Sequence, residues 1–408
     1  MRCRHCGSSL DLTMIDLGSA PPSNAYLSLD DLRRSERWYP LKVLVCSECW
    51  LVQTEDIVDS ADLFTAEYAY FSSYSETWNE HAHRYVDMVI DRFSVGRDDL
   101  VIEVAANDGY LLRFVEARGI PCVGIEPTGA TAAAARTLGL EIIDDFFGVE
   151  LARRLVDEGR RPRVMVANNV LAHVPDINDF VQAFAILLAD DGVATFEFPH
   201  LLRLIEDGLF DTIYHEHFSY LSLTAVERIF RVNGLRVFDV EELPTHGGSL
   251  RVFAQRADTG HALCTERVAD LLAMETAGGV LTHDLYATLQ AKAERAASEF
   301  VSFLLEARRS GRTVVGYGAA AKGNTLLNFA GLRPHLLPLV ADRNPAKQGM
   351  WLPGSRIPIV ADDEFRVLRP DYVVILPWNL RSEIEAQLGE VRSWGGRFVV
   401  ALPELQVW

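Results

Sequence analysis

The chain has 408 residues, enough for about two to four domains, and its 49% hydrophobic and 24% charged residues are typical of folded globular proteins. Its 39 basic and 57 acidic residues leave a formal net charge of −18 at pH 7. Because nucleic acids and anionic membranes attract basic surfaces, this charge argues against both as partners. No apolar run reaches the roughly 18–20 residues that cross a bilayer. The N-terminus lacks the apolar segment of a signal peptide, so we expect a cytoplasmic, reduced protein.

The first region, residues 1–66, contains two pairs of cysteines in CxxC spacing. The pairs are Cys3 with Cys6 and Cys46 with Cys49. Two such pairs supply the four thiolates of a tetrahedral structural zinc site, which leaves no coordination position open for catalysis. A redox CxxC and inert buried thiols are the alternatives, and the two matched pairs favour zinc. Glycine and proline residues between the pairs predict a loop there.

The second region, residues 67–256, alternates between apolar strand patterns and helical patterns. Helices are predicted over 78–93 and 176–188, and strands are expected within DLVIEVAANDG, CVGIEPT, LEIIDDFF, RVMVANN and GVATFEFPH. Strands separated by helices predict a doubly wound parallel sheet with right-handed crossovers. Two neighbouring segments at the end of the region, LRVFDVEEL and SLRVFAQR, predict an antiparallel edge pair.

The third region, residues 257–408, is predicted to form a second, smaller α/β domain of Rossmann-like type. It begins with a long helical pattern over 281–309 and continues with GRTVVGYGAAAKGNT, which predicts a strand, a turn and a helix. Further strands are expected within LLPLVADRNP, PDYVVILPW and GGRFVVALPE. The whole chain is therefore predicted to be an α/β protein with an N-terminal zinc-binding module.

A cofactor site is expected at the carboxyl ends of the parallel strands of the second region, where ligands bind in open α/β sheets. Glu103 ends the first strand, and small residues in the following turn, 105–109, let a ligand approach the backbone. Glu126, at the end of the second strand, can accept both hydroxyls of a ribose. The turn lacks the GxGxxG pattern that a pyrophosphate requires, which favours S-adenosylmethionine. A nicotinamide-dependent oxidoreductase is the alternative on these residues alone.

The motifs EVAANDG, GIEP, IDDFF and NNVLAHVPD resemble those of class I S-adenosylmethionine-dependent methyltransferases. Together with YAYFSSYS, YHEHFSYLS and GYGAAAKGNT, they make the whole chain similar to the sugar C-methyltransferases of deoxysugar biosynthesis. This family includes the C-3′-methyltransferase of D-tetronitrose biosynthesis and acts on nucleotide-linked 4-keto sugars. Ala105 and Asn107 stand where the broad class usually has glycine, a variant that one subgroup shares. The resemblance implies these cofactor-binding residues: Glu103, Ala105, Asn107, Gly109, Glu126, Asp145, Phe146, Asn168 and Asn169.

The catalytic chemistry is expected at the loop that carries Tyr-His-Glu-His, residues 214–217. Methylation of a carbon requires a carbanion equivalent, and a base that takes a proton beside a ketone produces an enolate. A neutral histidine is suited to this role near pH 7. The resemblance assigns the base to His217. It also implies the following partners and supporting active-site residues: Tyr214, Glu216, His173 and Tyr68.

Other interpretations of these residues stay open at this point. His215 and His217 could bind a metal together with Glu216, but no further ligand is suitably spaced. They could also be solvated loop residues. His173 could begin a helix and pack against the sheet, and Tyr68 could be a core aromatic.

The turn within GYGAAAKGNT is the expected site for the diphosphate of a nucleotide-linked sugar. Its glycine and alanine residues expose backbone N–H groups at a helix N-terminus, and Lys322 adds a positive charge. A second dinucleotide site is the alternative. The loop His246–Ser249 is expected to border the sugar pocket. The predicted substrate-binding residues are Ala320, Ala321, Lys322, Gly323, Asn324, His246 and Ser249.

The resemblance implies an S-adenosylmethionine-dependent C-methyltransferase that acts at C-3′ of a dTDP-linked 4-keto-deoxysugar in antibiotic deoxysugar biosynthesis. The predicted cofactors are S-adenosylmethionine and a structural zinc ion, and the predicted partner is the nucleotide-linked sugar. An O- or N-methyltransferase on a small natural product and a non-catalytic zinc-ribbon binding protein are the alternatives. The sequence leaves the oligomeric state open and is compatible with a monomer.

Overall fold

The computed structural model describes residues 1–55 and 71–408. Tyr68 and the predicted boundary between the first two regions, at residue 66, lie outside the described residues. The first region carries three antiparallel strands, which are β1 (Leu12–Ala20), β2 (Tyr39–Val45) and β3 (Val52–Thr54).

Two strands, β1 and β2, occupy part of the gap between the two cysteine pairs, and the loop predicted there lies between them. Met14, Ile15 and Leu17 of β1 are buried, as is Val43 of β2, and this apolar burial outweighs the turn propensity of the glycine. Gly18 has a φ of 73° at a point where the register of β1 against β2 shifts. The glycine therefore accommodates a bulge within the strand and does not end it.

The second region forms a seven-stranded sheet with the order β10-β11-β8-β7-β4-β5-β6. Its strands are β4 (Val101–Val104), β5 (Cys122–Ile125), β6 (Glu141–Ile143), β7 (Val164–Asn168), β8 (Val193–Pro199), β10 (Leu235–Leu243) and β11 (Ser249–Arg256). The five strands from β8 to β6 are parallel, whereas β11 and β10 pair antiparallel at the edge. The predicted doubly wound sheet with an antiparallel edge pair is confirmed.

Helices cover both faces of this sheet. They are α1 (Glu76–Phe93), α2 (Leu112–Glu116), α3 (Gly129–Thr137), α4 (Val149–Asp157), α5 (Ile177–Leu187), α6 (Leu201–Glu206) and α7 (Leu223–Val232). The side chains of Ser75, Asp176 and Ser222 cap α1, α5 and α7 by accepting backbone N–H groups of the first turn. Phe180 and Phe184 of α5 are buried against the sheet, which explains why the apolar spacing predicted this helix closely.

The long helix predicted over 281–309 is two helices, α9 (His283–Tyr286) and α10 (Leu289–Arg309). Before them, α8 (Glu266–Ala277) packs on the sheet of the second region through Val268 and Leu271. By chain position this helix falls in the predicted third region, but its apolar face is buried with the second region.

The third region contains a six-stranded sheet with the order β14-β13-β12-β15-β16-β17. Its strands are β12 (Val314–Tyr317), β13 (Val340–Ala341), β14 (Ile359–Val360), β15 (Tyr372–Ile375), β16 (Arg397–Val400) and β17 (Gln406–Val407). All but β17 are parallel. Its helices are α11 (Ala321–Phe329), α12 (Asp362–Leu368) and α13 (Arg381–Gln387). This order is that of a Rossmann-like domain, as predicted.

The short strand β9 (Ser219–Tyr220) joins the second region to the first. It pairs antiparallel with β3 and completes a four-stranded sheet of order β1-β2-β3-β9. A common apolar core also joins Ile15 of β1, Phe300 of α10 and Val340 of β13. No helix in the described ranges is both long and apolar enough to span a membrane.

Candidate active site

A cavity of about 890 Å³ lies where the second and third regions face each other. Asn107 and Asn169 line it just beyond β4 and β7, the two strands at which the order of the first parallel sheet reverses. Lys322 and Asn379 line it beyond β12 and β15, where the order of the second sheet reverses. Ligands of open α/β sheets bind at such switch points. Both sheets therefore direct their expected ligand sites into the same cavity.

The turn after β4 holds the carboxylate of Glu126 at the cavity wall. The backbone N–H of Asn107 donates to Oε2 at 2.9 Å, whereas the N–H of Thr128 donates to Oε1 at 2.9 Å and its hydroxyl donates to the same oxygen. Oε2 thus keeps a lone pair for a ribose hydroxyl. Ala105 and Asn107 have φ values of 58° and 50°, in the left-handed region that favours glycine. The turn therefore follows a glycine-like path without glycine.

Asn168 and Asn169 follow next along the same edge of the sheet, and both line the cavity. Asn168 is 8% exposed, and within the described part of the chain neither its Oδ1 nor its Nδ2 has a hydrogen-bond partner. Buried amides in folded proteins are nearly always hydrogen-bonded, so these two atoms are suited to hydrogen-bond a polar ligand. Together with Glu126, they fit the adenosyl and amino-acid groups of S-adenosylmethionine.

Of the remaining four candidate cofactor-binding residues, two line the cavity and two lie behind its wall. Asp145 and Phe146 line the cavity, whereas Glu103 and Gly109 do not. Glu103 is buried, and burial, followed by the nearby Asp108 and Glu126 carboxylates, raises its pKa well above the usual range. A Cβ at Gly109 would lie 2.4 Å from the Leu140 side chain. These two residues support the turn from behind.

His217 lies on the loop between the short 3₁₀ helix Phe210–Thr212 and β9, as the motif predicted. Its Nδ1–H donates to the carbonyl oxygen of Thr212 at 2.7 Å, which leaves Nε2 as the basic nitrogen. Burial, with a smaller contribution from the neighbouring His173, holds the pKa of His217 well below that of an ordinary histidine. The imidazole lines the cavity as a neutral base.

Two further rings pack around the His217 imidazole. The ring centroids of Tyr214 and His217 are 4.0 Å apart, and those of His173 and His217 are 4.6 Å apart. Burial lowers the pKa of His173 to about 4, so it is also neutral near pH 7. Tyr214, Glu216 and His173 all line the cavity, while Tyr68 lies outside the described residues.

Glu216 is held by a residue that the sequence analysis missed. Glu216 is 2% exposed, and both of its carboxylate oxygens accept from Asn24 Nδ2 at 2.8 Å. Asn24 comes from the first region and also lines the cavity. The two residues are 192 positions apart, so no local pattern could have shown the contact.

His215 faces away from the cavity. Its Nε2 lies 3.1 Å from the Pro40 carbonyl oxygen, and its ring packs edge-on against Tyr39. Among the residues that the structure describes, the four cysteines form the sole group of side chains arranged for a metal ion. A metal site that includes both His215 and His217 is therefore not formed.

At the second switch point, Ala320, Ala321 and Lys322 line the cavity. Gly323 and Asn324 do not line it. A Cβ at Gly323 would lie 2.7 Å from the side chain of Leu376, so this glycine allows α11 to approach β15. Asn324 is fully buried, and its amide has no partner among the described residues.

Of the two candidate residues His246 and Ser249, only His246 lines the cavity. Burial lowers the pKa of His246 to about 3. The Ser249 hydroxyl instead donates to the Thr245 carbonyl at 3.0 Å and does not line the cavity.

Lys322 is accompanied by Asp211, which the sequence analysis also missed. Asp211 is fully buried and accepts the Trp378 indole N–H at 2.7 Å, while the Lys322 ammonium lies 4.9 Å from the centre of the Trp378 ring. Burial raises the pKa of Asp211 to about 6, although Lys322 opposes the shift. An acidic residue within the apolar stretch LFDTI, directly before the histidine motif, is the signal that could have indicated it.

The four cysteines of the first region converge as predicted. Their Sγ atoms all lie within 4.8 Å of one another, with Cys3 and Cys49 at 3.5 Å and Cys6 and Cys46 at 3.5 Å. Tetrahedral zinc with bonds of about 2.3 Å places its sulfurs about 3.8 Å apart. The cluster therefore fits a structural zinc ion.

Three protein families match successive parts of the chain. They are described as "Putative zinc binding domain", matched over residues 3–64, "Methyltransferase domain", over 78–240, and "C-methyltransferase C-terminal domain", over 244–403. C-methyltransferase NovU of Streptomyces niveus is 35% identical over 405 residues, which cover 99% of this chain and 96% of that protein.

Solved structures resemble the chain more distantly. The magnesium protoporphyrin IX methyltransferase of Synechocystis PCC 6803 with bound S-adenosylmethionine has 14% identity and a TM-score of 0.34, and the match covers 44% of this chain and 79% of that one. The PH0226 protein of Pyrococcus horikoshii OT3 has 16% identity and a TM-score of 0.39, with 46% and 95% covered.

The near full-length match to a C-methyltransferase, the zinc-binding cysteine cluster and the methyltransferase sheet agree with one another. They exclude the alternatives of a non-catalytic zinc-ribbon protein and of a nicotinamide-dependent oxidoreductase. The chain belongs to the family of S-adenosylmethionine-dependent C-methyltransferases that carry an N-terminal zinc-binding domain.

Proposed function

We propose that this C-methyltransferase methylates C-3′ of a dTDP-linked 4-keto-deoxysugar, in antibiotic deoxysugar biosynthesis, with His217 as the base. The observation that carries the proposal is the geometry of His217. Its Nδ1–H is held by the Thr212 carbonyl at 2.7 Å, so the basic Nε2 belongs to a neutral ring at the wall of the shared cavity. The relative of Streptomyces niveus is also a C-methyltransferase, which is consistent with carbon as the acceptor.

The proposed reaction begins when Nε2 of His217 takes the proton from C-3′, beside the 4-keto group. The electron pair of the broken C–H bond moves toward the ketone oxygen, and an enolate forms. The Tyr214 hydroxyl, at the same wall, is suited to stabilise the oxyanion. S-adenosylmethionine supplies an electrophilic methyl group when it is bound. The proton remains on His217 until the product leaves and solvent takes it.

The second switch point supports the nucleotide part of this substrate. Lys322 and Lys347 both line the cavity in a protein of net charge −18, and Lys347 is buried whereas Lys322 is partly buried. Lys347 Nζ donates to the Ala319 carbonyl at 2.9 Å, so both cations flank the turn between β12 and α11. Cations beside a helix N-terminus suit a diphosphate.

The alternative of a second dinucleotide site is less well supported. In such sites an acidic residue after the second strand accepts the ribose hydroxyls. Asp342 holds that position after β13, but it does not line the cavity, and its carboxylate lies 3.7 Å from Lys347 Nζ. We therefore assign residues 257–408 to substrate binding, 67–256 to the cofactor and 1–66 to zinc.

Solvent deuterium exchange tests the enolate. The protein is incubated with a dTDP-4-keto-6-deoxysugar in heavy water without S-adenosylmethionine, and exchange at C-3′ is followed by NMR. We expect exchange with the unmodified protein and with His335→Asn, which alters an exposed histidine, but not with His217→Asn. No exchange by the unmodified protein, or a methyl group found on oxygen or nitrogen after complete turnover, would contradict the proposal.

A further inference from the structure

The first region contacts the catalytic loop at each of several successive residues. His215 lies against the Pro40 carbonyl at 3.1 Å, and Glu216 accepts from Asn24 at 2.8 Å. The Thr54 hydroxyl donates to the His217 carbonyl at 3.2 Å.

The contacts continue into the strand beyond the base. The Thr54 N–H donates to the Phe218 carbonyl at 3.1 Å, and β3 then pairs with β9. The zinc-binding region therefore contributes the sheet on which the loop carrying His217 is built.

A short chain of contacts connects this sheet to the first cysteine pair. Gln53, on β3, donates from Nε2 to Cys3 Sγ at 3.3 Å and accepts the Arg4 backbone N–H on Oε1 at 3.0 Å. The Arg4 guanidinium donates to the Thr54 carbonyl at 3.0 Å and to the Pro175 carbonyl at 3.2 Å.

The Arg4 guanidinium also contacts the loop that carries His217. It lies over the Phe218 ring, 5.3 Å from its centre, directly after His217. Pro175 is two residues beyond His173. One side chain, located between two zinc ligands, thus touches the segments that carry both histidines of the pair.

We propose that Arg4 and Gln53 are positioning residues. They fix the position of the His217–His173 pair relative to the zinc-binding cysteines. On this proposal the zinc module has a function beyond stabilising itself, because its first cysteine turn orients the base. The inference rests on the proposed role of His217 as the base. Its physical basis is that a base displaced by about 1 Å can lose on the order of 10²-fold in rate.

The test replaces Arg4 by methionine, which keeps the length of the side chain and removes its donors. Arg2→Met is the matched control, because Arg2 is exposed and donates to the Gly7 carbonyl within its own turn. We expect both variants to bind one zinc ion and to keep S-adenosylhomocysteine affinity within about twofold. Arg4→Met should lower kcat by about 10- to 100-fold, while Arg2→Met leaves it unchanged.

A readout independent of turnover separates positioning from simple loss of stability. Histidine side-chain NMR, with His217 assigned by its absence in His217→Asn, reports the Nδ1–H tautomer of the base. We expect the His217 and His173 signals to shift in Arg4→Met and to stay in place in Arg2→Met. Arg4→Lys, which can reach one of the two carbonyls, should recover part of kcat.

Equal kcat values and equal histidine spectra in Arg4→Met and Arg2→Met would overturn the inference. Should Arg4→Met fail to fold, Gln53→Met decides, since it removes the contacts of Gln53 with the Arg4 N–H and with Cys3 Sγ, and the His217 signals should shift in it. A shift of the His217 signals without deuterium exchange in the unmodified protein would contradict the proposed function, but it would still show that Arg4 positions the His217–His173 pair. Unshifted His217 signals in Arg4→Met together with normal deuterium exchange in the unmodified protein would overturn this inference and leave the proposed function intact.

Discussion

The Nδ1 atom of His217 lies 2.7 Å from the carbonyl oxygen of Thr212, five residues earlier in the chain. A carbonyl oxygen only accepts hydrogen bonds, so Nδ1 carries the proton and Nε2 carries the lone pair. Asp211, the neighbour of Thr212, is in turn bound to the indole N–H of Trp378. The orientation of the His217 imidazole thus depends on a segment that contacts the third region through Trp378.

Replacement of His217 by asparagine should leave cofactor affinity nearly unchanged and lower turnover by a factor on the order of 10²–10⁴. Asparagine retains a donor for the Thr212 carbonyl but has no basic nitrogen. Steady-state kinetics and calorimetry with S-adenosylhomocysteine measure the two effects separately. Full activity in this variant would remove His217 from its role.

The decline of kcat/KM at low pH should reflect the lowered pKa of His217. Burial holds this pKa well below 6.5, the ordinary value for histidine, so the base stays unprotonated as the pH falls through 6.5. We expect kcat/KM, measured over pH 5 to 8, to begin its decline below 6.5. A limb centred on 6.5 or above would show that the imidazole titrates as if it were in solvent.

Stability should also decrease with acidification. Burial lowers the pKa of His173 from 6.5 to about 4, so as pH falls through 6.5 the unfolded chain binds this proton before the folded protein does. The free energy of unfolding should therefore fall between about pH 6.5 and pH 4. Urea unfolding at several pH values measures the slope, which should be smaller in His173→Asn and unchanged in His335→Asn.

Loss of the zinc ligands should separate cofactor binding from methyl transfer. In Cys46→Ser/Cys49→Ser the metal content should fall and the first region should become sensitive to protease, because a structural metal site contributes folding free energy. Binding of S-adenosylhomocysteine should persist, since its site lies on the sheet of the second region. Methyl transfer should drop sharply, and an intact rate in a zinc-free protein would argue against any link between the metal and the loop.

Glu126→Gln should weaken cofactor binding. The glutamine keeps the shape of the side chain but loses the charge that strengthens a hydrogen bond from a ribose hydroxyl, so we expect Kd to rise by about 10- to 100-fold. Glu150→Gln, an exposed change on α4, is the control. Calorimetry with S-adenosylhomocysteine makes the measurement, and equal Kd values in the two variants would show that Glu126 does not contact the ribose.

The elements with strong local signals could be predicted from the sequence. The apolar segments of β4 to β8, the edge strands β10 and β11 and the capped helix α5 follow from periodicity and turn residues. The break between α9 and α10 was missed, because helical spacing continues across the residues that separate them. The strands between the cysteine pairs were missed because a bulge at Gly18 and two prolines imitate a loop.

The sequence by itself determined the two cysteine pairs, the order of strands and helices and the motif that contains His217. Each of these depends on residues that are close together in the chain. Only the tertiary structure decided that Asn24 holds Glu216, that β3 pairs with β9 and that Asp211 meets Trp378. Partners separated by more than a hundred residues are selected by the packing of whole elements, and that packing leaves no spacing rule in the sequence.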